Sequence, residues 1–208
     1  MPVTINGDGS ISGLSVGGLP DGSVDADTIA ANAVTTTKIA NSAVTSVKTT
    51  GLGVITMAEQ WRLQSALQGN RSPLTGWNVV NTGNAGKIGS SMSESSGAFT
   101  FPSTGIYLIM FVLQGYSDTS TQNLIGNIQT TTNNSSWTGV SYSQNGIYDY
   151  SNSYPSHSNG MNTHIFDVEN TSTHKVRFEY GAGQGGEYCD GHGSYTKTSA
   201  TFVRLGDT

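Results

Sequence analysis

The sequence predicts a mainly β protein: a C-terminal antiparallel sandwich or jelly roll, preceded by an extended repeat and one short helix. Three observations predict it. Gly, Ser, Thr and Asn supply 96 of the 208 residues and charged residues only 11 %. That composition suits short strands and turns, and it excludes helical bundles and coiled coils, which need Leu, Ala, Glu and Lys in bulk. From about residue 71 onward, apolar runs with visible alternation are separated by turn residues. Between residues 24 and 48 a β-branched residue recurs at every fifth position.

The charge balance excludes further classes. Net charge is −5 and the nine Lys and Arg are scattered, whereas nucleic-acid binders concentrate cations on one face. No nucleic-acid partner is expected. The longest apolar run, residues 106–113 (IYLIMFVL), has eight residues, against ~20 for a membrane-spanning helix, so no membrane insertion is expected. The opening MPVTINGDGS has neither the cationic nor the apolar part of a secretory signal. Cys189 is the only cysteine, so no disulfide can form within the chain.

Residues 1–23 are Gly-rich, with Ile5, Ile11, Leu14, Val16 and Leu19 as the main apolar side chains. Leu19-Pro20-Asp21-Gly22 is a turn signal, since Pro pre-sets φ and Gly tolerates φ > 0. The segment is too poor in apolar residues to bury a core. It either stays loose or docks on a partner, and it is assigned as an N-terminal anchor.

Residues 24–70 are assigned to a stalk. Val24, Ile29, Val34, Ile39 and Val44 are five apart, and Ile29-Ala-Ala-Asn-Ala-Val34-Thr is echoed by Ile39-Ala-Asn-Ser-Ala-Val44-Thr. A period of five matches neither helix nor strand. It suggests a repeating turn with one buried residue per step, and side-by-side chains around an axis would bury that stripe. The other reading is a flexible Ala/Thr/Ser linker. Thr56 with Glu59 forms a capping-box pattern, which predicts a helix over 56–68 closed by Gly69-Asn70. Its apolar residues, Met57, Trp61, Leu63 and Leu67, lie on several sides. That pattern suits a helix near a symmetry axis or a turn packed under the next domain.

Residues 71–208 form the predicted sandwich. Candidate strands are 77–81, 98–101, 105–113, 124–129, 137–142, 162–168, 175–180 and 198–205. A chain this long can bury enough surface to fold as a unit. The run 106–113 is apolar on both faces, although one face of an antiparallel sandwich normally meets water. A neighbouring subunit is the simplest cover.

Gly97-Ala-Phe99-Thr-Phe101-Pro102-Ser-Thr-Gly105-Ile106-Tyr107 resembles the Gly-x-Phe-Thr-x-Pro-x-x-Gly-[Ile/Leu]-Tyr segment of the C1q/tumour-necrosis-factor-like family. Asn162-Thr-His-Ile165-Phe-Asp167-Val168 with Lys175-Val176-Arg-Phe178 is similar to that family's late strands, and Ser199-Ala-Thr201-Phe202-Val203-Arg-Leu205 to its closing strand, without the family's Gly. The resemblance spans roughly 77–205. It implies a ten-stranded jelly roll that trimerises about a threefold axis. Phe99, Phe101 and Tyr107 would fill core and inter-subunit space, together with Ile109, Phe111, Phe178 and Phe202.

A second resemblance joins Met1-Pro-Val-Thr-Ile5-Asn6-Gly7, residues 23–44 and Met57-Ala-Glu-Gln-Trp61-Arg62-Leu63 to tail-fibre and other virion proteins of tailed phages, notably marine ones. It implies a virion protein made in the host cytoplasm. Residues 1–23 would bind other virion proteins, 24–70 would form the stalk and 71–208 the knob.

Enzymatic chemistry is thin. The sequence has no Gly-x-Ser-x-Gly elbow and no P-loop, and His157, His164, His174 and His192 lack the i, i+4 pairing of a helical zinc site. Glu187, Cys189, Asp190 and His192 are the densest cluster, but a closed zinc site needs about four ligands. A Gly-rich surface loop is expected there, with no metal and no cofactor. Asp167 and Glu169 share a strand face, as a glycosidase pair would but also as many solvated strands do. Residues 142–161 (YSQNGIYDYSNSYPSHSNGM) place Tyr142, Tyr148, Tyr150 and Tyr154 among Asn, Ser and Asp149, with Trp137 just before them. Such tyrosines suit recognition, and their rings can stack on sugars. The alternative is a solvated loop whose tyrosines cover the barrel.

The expectation is therefore a non-enzymatic homotrimeric fibre or spike that attaches to a glycan or protein of the host surface through its knob. The alternatives are a head fibre or capsid-decorating protein without a receptor, and a polysaccharide-degrading enzyme.

Overall fold

Turns of period five and strands of period two divide the chain. The computed structural model describes residues 4–8, 11–13, 29–40, 43–44, 55–148 and 154–208, in two units, Met1–Thr50 and Gly51–Thr208.

In the first unit, β1 (Thr4–Ile5) and β2 (Ile11–Ser12) pair antiparallel. The repeat then makes one turn per step. Backbone N–H groups of Ala33, Lys38 and Ala43 donate to the carbonyls of Ala30, Thr35 and Ala40, at 3.0, 2.9 and 3.0 Å. These bonds recur at the five-residue spacing seen in the sequence. Lys38 Nζ donates to Ala33 O at 2.7 Å and ties one turn to the next. Ile29, Val34, Ile39 and Val44 remain 39–56 % exposed on the single chain.

The second unit is built from twelve further strands: β3 (Met57–Leu63), β4 (Leu67–Gln68), β5 (Trp77–Val79), β6 (Ser93–Ser95), β7 (Ala98–Thr100), β8 (Gly105–Ser117), β9 (Thr121–Thr131), β10 (Thr138–Ile147), β11 (Ser156–Val168), β12 (Lys175–Ala182), β13 (Tyr188–Cys189) and β14 (Ser199–Gly206). One sheet has the order β10-β9-β12-β7-β6. The other centres on β8, with β11 on one side and, on the other, β13 and β14 in line along its length, leading on to β4, β3 and β5. The eight principal strands pair first with last (β3 with β14), second with seventh (β7 with β12), third with sixth (β8 with β11) and fourth with fifth (β9 with β10), all antiparallel. That wrapped pairing defines a jelly roll, the fold implied by the first resemblance.

The two sheets enclose an aromatic core. Phe178 lies 4.8 Å from Phe111, 5.6 Å from Phe99 and 5.5 Å from Trp77, centroid to centroid. Phe99 touches Phe202 at 5.2 Å, and Phe101 touches Tyr107 at 4.6 Å. Ile109 is fully buried beside them. All seven residues assigned to core and trimer are thus interior to one chain. Phe99, Phe101 and Tyr107 do not reach inter-subunit space, because strand alternation turns them inward.

The family-like motif has a local physical basis. Ser96 and Gly97 take φ of 52° and 86° between the paired residues Ser95 and Ala98, as the two-residue turn of a tight hairpin requires. A Cβ on Gly97 would meet Leu74 O at 2.6 Å. Gly105 opens β8 at φ 139°, with Gly206 O 2.5 Å from where a Cβ would sit. Tyr107 Oη donates to Ser103 O at 3.0 Å and closes the turn containing Pro102.

The predicted helix over 56–68 is a strand. Met57, Glu59, Trp61 and Leu63 alternate inward, and β3 has ladder partners on both sides, β14 and β5. Tertiary pairing overrides the helix propensity of Met-Ala-Glu-Gln. The capping box does not form. Glu59 Oε2 accepts from Trp61 Nε1 at 3.0 Å and from Met92 N at 2.9 Å, while Thr56 Oγ1 accepts from Arg204 Nη1 at 3.2 Å. Residues 57–70 accordingly belong to the sandwich unit and not to the stalk.

Candidate functional site

The two sheets present different faces to the outside. On β8 the odd-numbered residues from 105 to 117 are buried and the even-numbered ones look outward. The outward row is Ile106, Leu108, Met110 and Val112, continued by Gln114 and Tyr116. Met161 on β11 stands opposite Val112, Ile165 opposite Leu108, and Val203 on β14 flanks Leu108 from the other side. Met161 and Ile165 are 67 % and 61 % exposed. The face is an apolar stripe that ends in the aromatic stack of Tyr116 on Tyr188, at 4.7 Å and nearly parallel.

The outward face of the other sheet is polar and aromatic. Arg177 and Glu179 alternate with buried Val176 and Phe178 on β12 and so point outward. Arg177 Nε donates to Gln129 Oε1 at 2.6 Å, and its guanidinium lies 4.4 Å over the Trp137 ring. Asn127 Nδ2 donates to Glu179 Oε2 at 2.9 Å, and Ser72 Oγ donates to the other carboxylate oxygen. Tyr142, opposite Asn127, donates to Gln144 Oε1 at 2.9 Å, and Gln144 Nε2 donates to Asn123 Oδ1. The result is three hydrogen-bonded side-chain groups set along one face, flanked by rings.

Two clefts open along this face. One, of about 750 Å³, is lined by Thr121, Asn123, Tyr148 and Gln184 among others. A smaller one, of about 300 Å³, is lined by Asn127, Ser141 and Tyr142. Tyr142 and Tyr148 are 59 % and 77 % exposed.

Of the six residues assigned to recognition, Trp137, Tyr142 and Tyr148 lie along β10 or at its ends. Tyr154 is exposed but leads into β11 in the opposite sheet. Asp149 and Tyr150 lie outside the described residues. The region 142–161 is not one loop, because its two ends are the long strands β10 and β11. In the anchor, Ile5 is exposed in β1 and Ile11 sits in β2, while Leu14, Val16 and Leu19 lie outside the described residues. Sequence reading missed the outward residues of β8 by number. Their signal was present, since an unbroken apolar run in an antiparallel sheet leaves half its side chains outside the core.

The cluster from Glu187 to His192 is not a surface loop. β13 pairs with β4 and β8, and Glu187, Cys189 and Asp190 are buried. Their groups turn to separate partners. Burial alone would raise the Glu187 carboxyl, but hydrogen bonds from Thr121 and from the backbone of Glu187, Gln184 and Gly185 outweigh it and hold it below the usual range. Burial pushes the Cys189 thiol up to about 12, which keeps it protonated. Asp190 pairs with Lys197 at 2.7 Å. His192 Nδ1 accepts from Ser194 N at 3.0 Å. Among the described residues no three His, Cys, Asp or Glu gather in metal-binding geometry.

No family model and no curated protein matches the sequence. Among solved structures, the crystal structure of murine APRIL at pH 5.0 aligns over 72 % of this chain and 98 % of its own length, with a TM-score of 0.48 and 9 % identity.

Proposed function

We propose that the chain is a non-enzymatic, homotrimeric fibre or spike protein of a tailed-phage virion that attaches to the host cell surface through its jelly-roll unit. The observation that carries the assembly is the apolar stripe of Leu108, Met110, Val112, Met161, Ile165 and Val203 on an otherwise polar protein. An apolar strip of this kind, half-buried along β8 and exposed at Met161 and Ile165, marks an interaction surface, and a second and third copy of the same sheet cover it. The repeat supports the same plan. Its turns leave Ile29, Val34, Ile39 and Val44 half-exposed on a single chain, and three parallel copies bury them. The virion role rests on the resemblance of residues 1–7, 23–44 and 57–63 to phage fibre proteins, with residues 1–23 as the contact to other virion proteins. Three copies present three recognition surfaces, which raises a weak single-site affinity by ~10²–10⁴.

Light scattering after size exclusion tests the assembly. The expected mass is about 65 kDa, three times 21.8 kDa. The full chain and residues 51–208 alone should both be trimers. A monomeric full chain would overturn the proposal. Attachment is tested by binding of the labelled trimer to whole host cells, and a trimer that binds the particle but no cell would favour a decorating role.

A further inference from the structure

We infer that the outward face of β9, β10 and β12 is a groove for an uncharged oligosaccharide chain. The inference rests on the attachment reading and names the chemistry of its ligand. The two clefts on this face belong to one track. Asn123 lines the larger and Tyr142 the smaller, and Gln144 joins them by hydrogen bonds to both. Trp137 extends the track beyond Tyr142. From Tyr142 to Tyr148 along β10 is roughly 20 Å at the usual strand rise, so the rings mark a path and not a single pocket. The larger cleft falls within the usual size range of small-ligand sites, about 300–1,000 Å³.

The chemistry of the lining selects the ligand. The described lining residues of both clefts are hydroxyls, amides, glycines, two aliphatics and two tyrosines, with no charged side chain. Of the charges on this face, Arg177 is engaged by Gln129 and Trp137 and Glu179 by Asn127 and Ser72, while Lys175 stands at the end of β12 and lines neither cleft. An anionic chain therefore gains no cation from the described lining of either cleft. Sugar hydroxyls match amides and hydroxyls, and the exposed ring faces of Tyr142 and Tyr148 match the C–H faces of pyranose rings. The amides are pre-oriented by their bonds to one another, which lowers the entropy cost of holding a flexible chain. A protein partner would need a desolvated apolar anchor site, and the exposed aliphatic side chains Met161 and Ile165 lie on the other sheet.

The test titrates the full-length chain with uncharged hexasaccharides of the gluco, manno and galacto series, α- and β-linked. Tryptophan and tyrosine fluorescence and saturation-transfer NMR report binding. At least one series should saturate, and a Tyr142→Ala/Tyr148→Ala variant should bind it at least tenfold more weakly. Oligogalacturonate should not compete. Absence of saturation by every series at millimolar concentration would overturn the inference. So would unchanged affinity in the double variant, or equal binding of the acidic chain. Both tyrosines are exposed, so the variant should keep the mass and circular dichroism of the parent. A monomeric parent that still binds sugar would overturn the trimer and leave the groove standing.

Discussion

The outward faces of the two sheets lie across the same aromatic core yet have opposite characters. On β8, β11 and β14 the face is a stripe of Leu, Ile, Met and Val with Thr163 and Thr201 beside Met110. On β9, β10 and β12 it is a ladder of Asn, Gln, Glu and Arg between Trp and Tyr rings. A strand's inward residues satisfy the fold, so its outward residues are available to record what each sheet meets. A mainly apolar area suits a permanent partner that excludes water. Fixed amides and rings suit a hydrated ligand that exchanges. Under the proposed function, assembly and recognition fall to different sheets of the jelly roll.

The largest expected effect removes what both faces share. Phe178→Ala deletes a ring that packs on Phe111, Phe99, Trp77 and Phe202, and it should cost about 3–5 kcal/mol, read as a fall in the urea midpoint. Assembly and sugar binding should be lost together.

Charging one face should separate them. Leu108→Asp points outward from β8 between Ile165 and Val203, so the chain should fold. The expected mass of the 51–208 unit drops to that of one copy, and sugar affinity per site is unchanged. A variant that stays trimeric would place the interface elsewhere.

The converse substitution is Tyr142→Ala with Tyr148→Ala. Stability should change by no more than about 0.5 kcal/mol, as for exposed sites without buried partners. The trimer should persist while sugar binding falls at least tenfold.

The smallest effect is electrostatic and belongs to neither face. His164 is half-buried with its pKa lowered by desolvation. The unfolded chain therefore takes up a proton first, and stability falls as pH drops below the ordinary value of 6.5. Glu187 is held below its ordinary 4.5. Its contribution is present above that value and is lost as pH falls through the lower folded one. Denaturation midpoints should decline in two stages on acidification. Glu187→Gln should flatten the lower stage only, and a curve that Glu187→Gln leaves unaltered would remove that assignment.

Much of this was legible before any fold was known. The strands at 105–113, 175–180 and 198–205 announce themselves by alternation between turn residues, and β8, β12 and β14 occupy them. The period-five turns follow from the repeat in the same way, because the Ala30–Ala33, Thr35–Lys38 and Ala40–Ala43 bonds are local. The site was legible in part. Trp137, Tyr142 and Tyr148 were singled out by composition, yet their common face depends on register with β9 and β12, whose residues lie up to about 40 positions away in the chain.

Residue order by itself thus determined the β class, the position of most strands, the repeating turns and the doubly apolar run that requires a cover. Only the tertiary structure decided that residues 57–63 are a strand, because β14 and β5, distant in sequence, supply ladder partners that no local propensity contains. It alone divided β8 into Phe111 and Ile109 inside and Met110 and Leu108 outside. It alone buried Cys189, and sent Tyr154 to the sheet opposite Tyr142. Periodicity is a property of neighbouring residues, whereas burial and face are set by which distant strand pairs alongside.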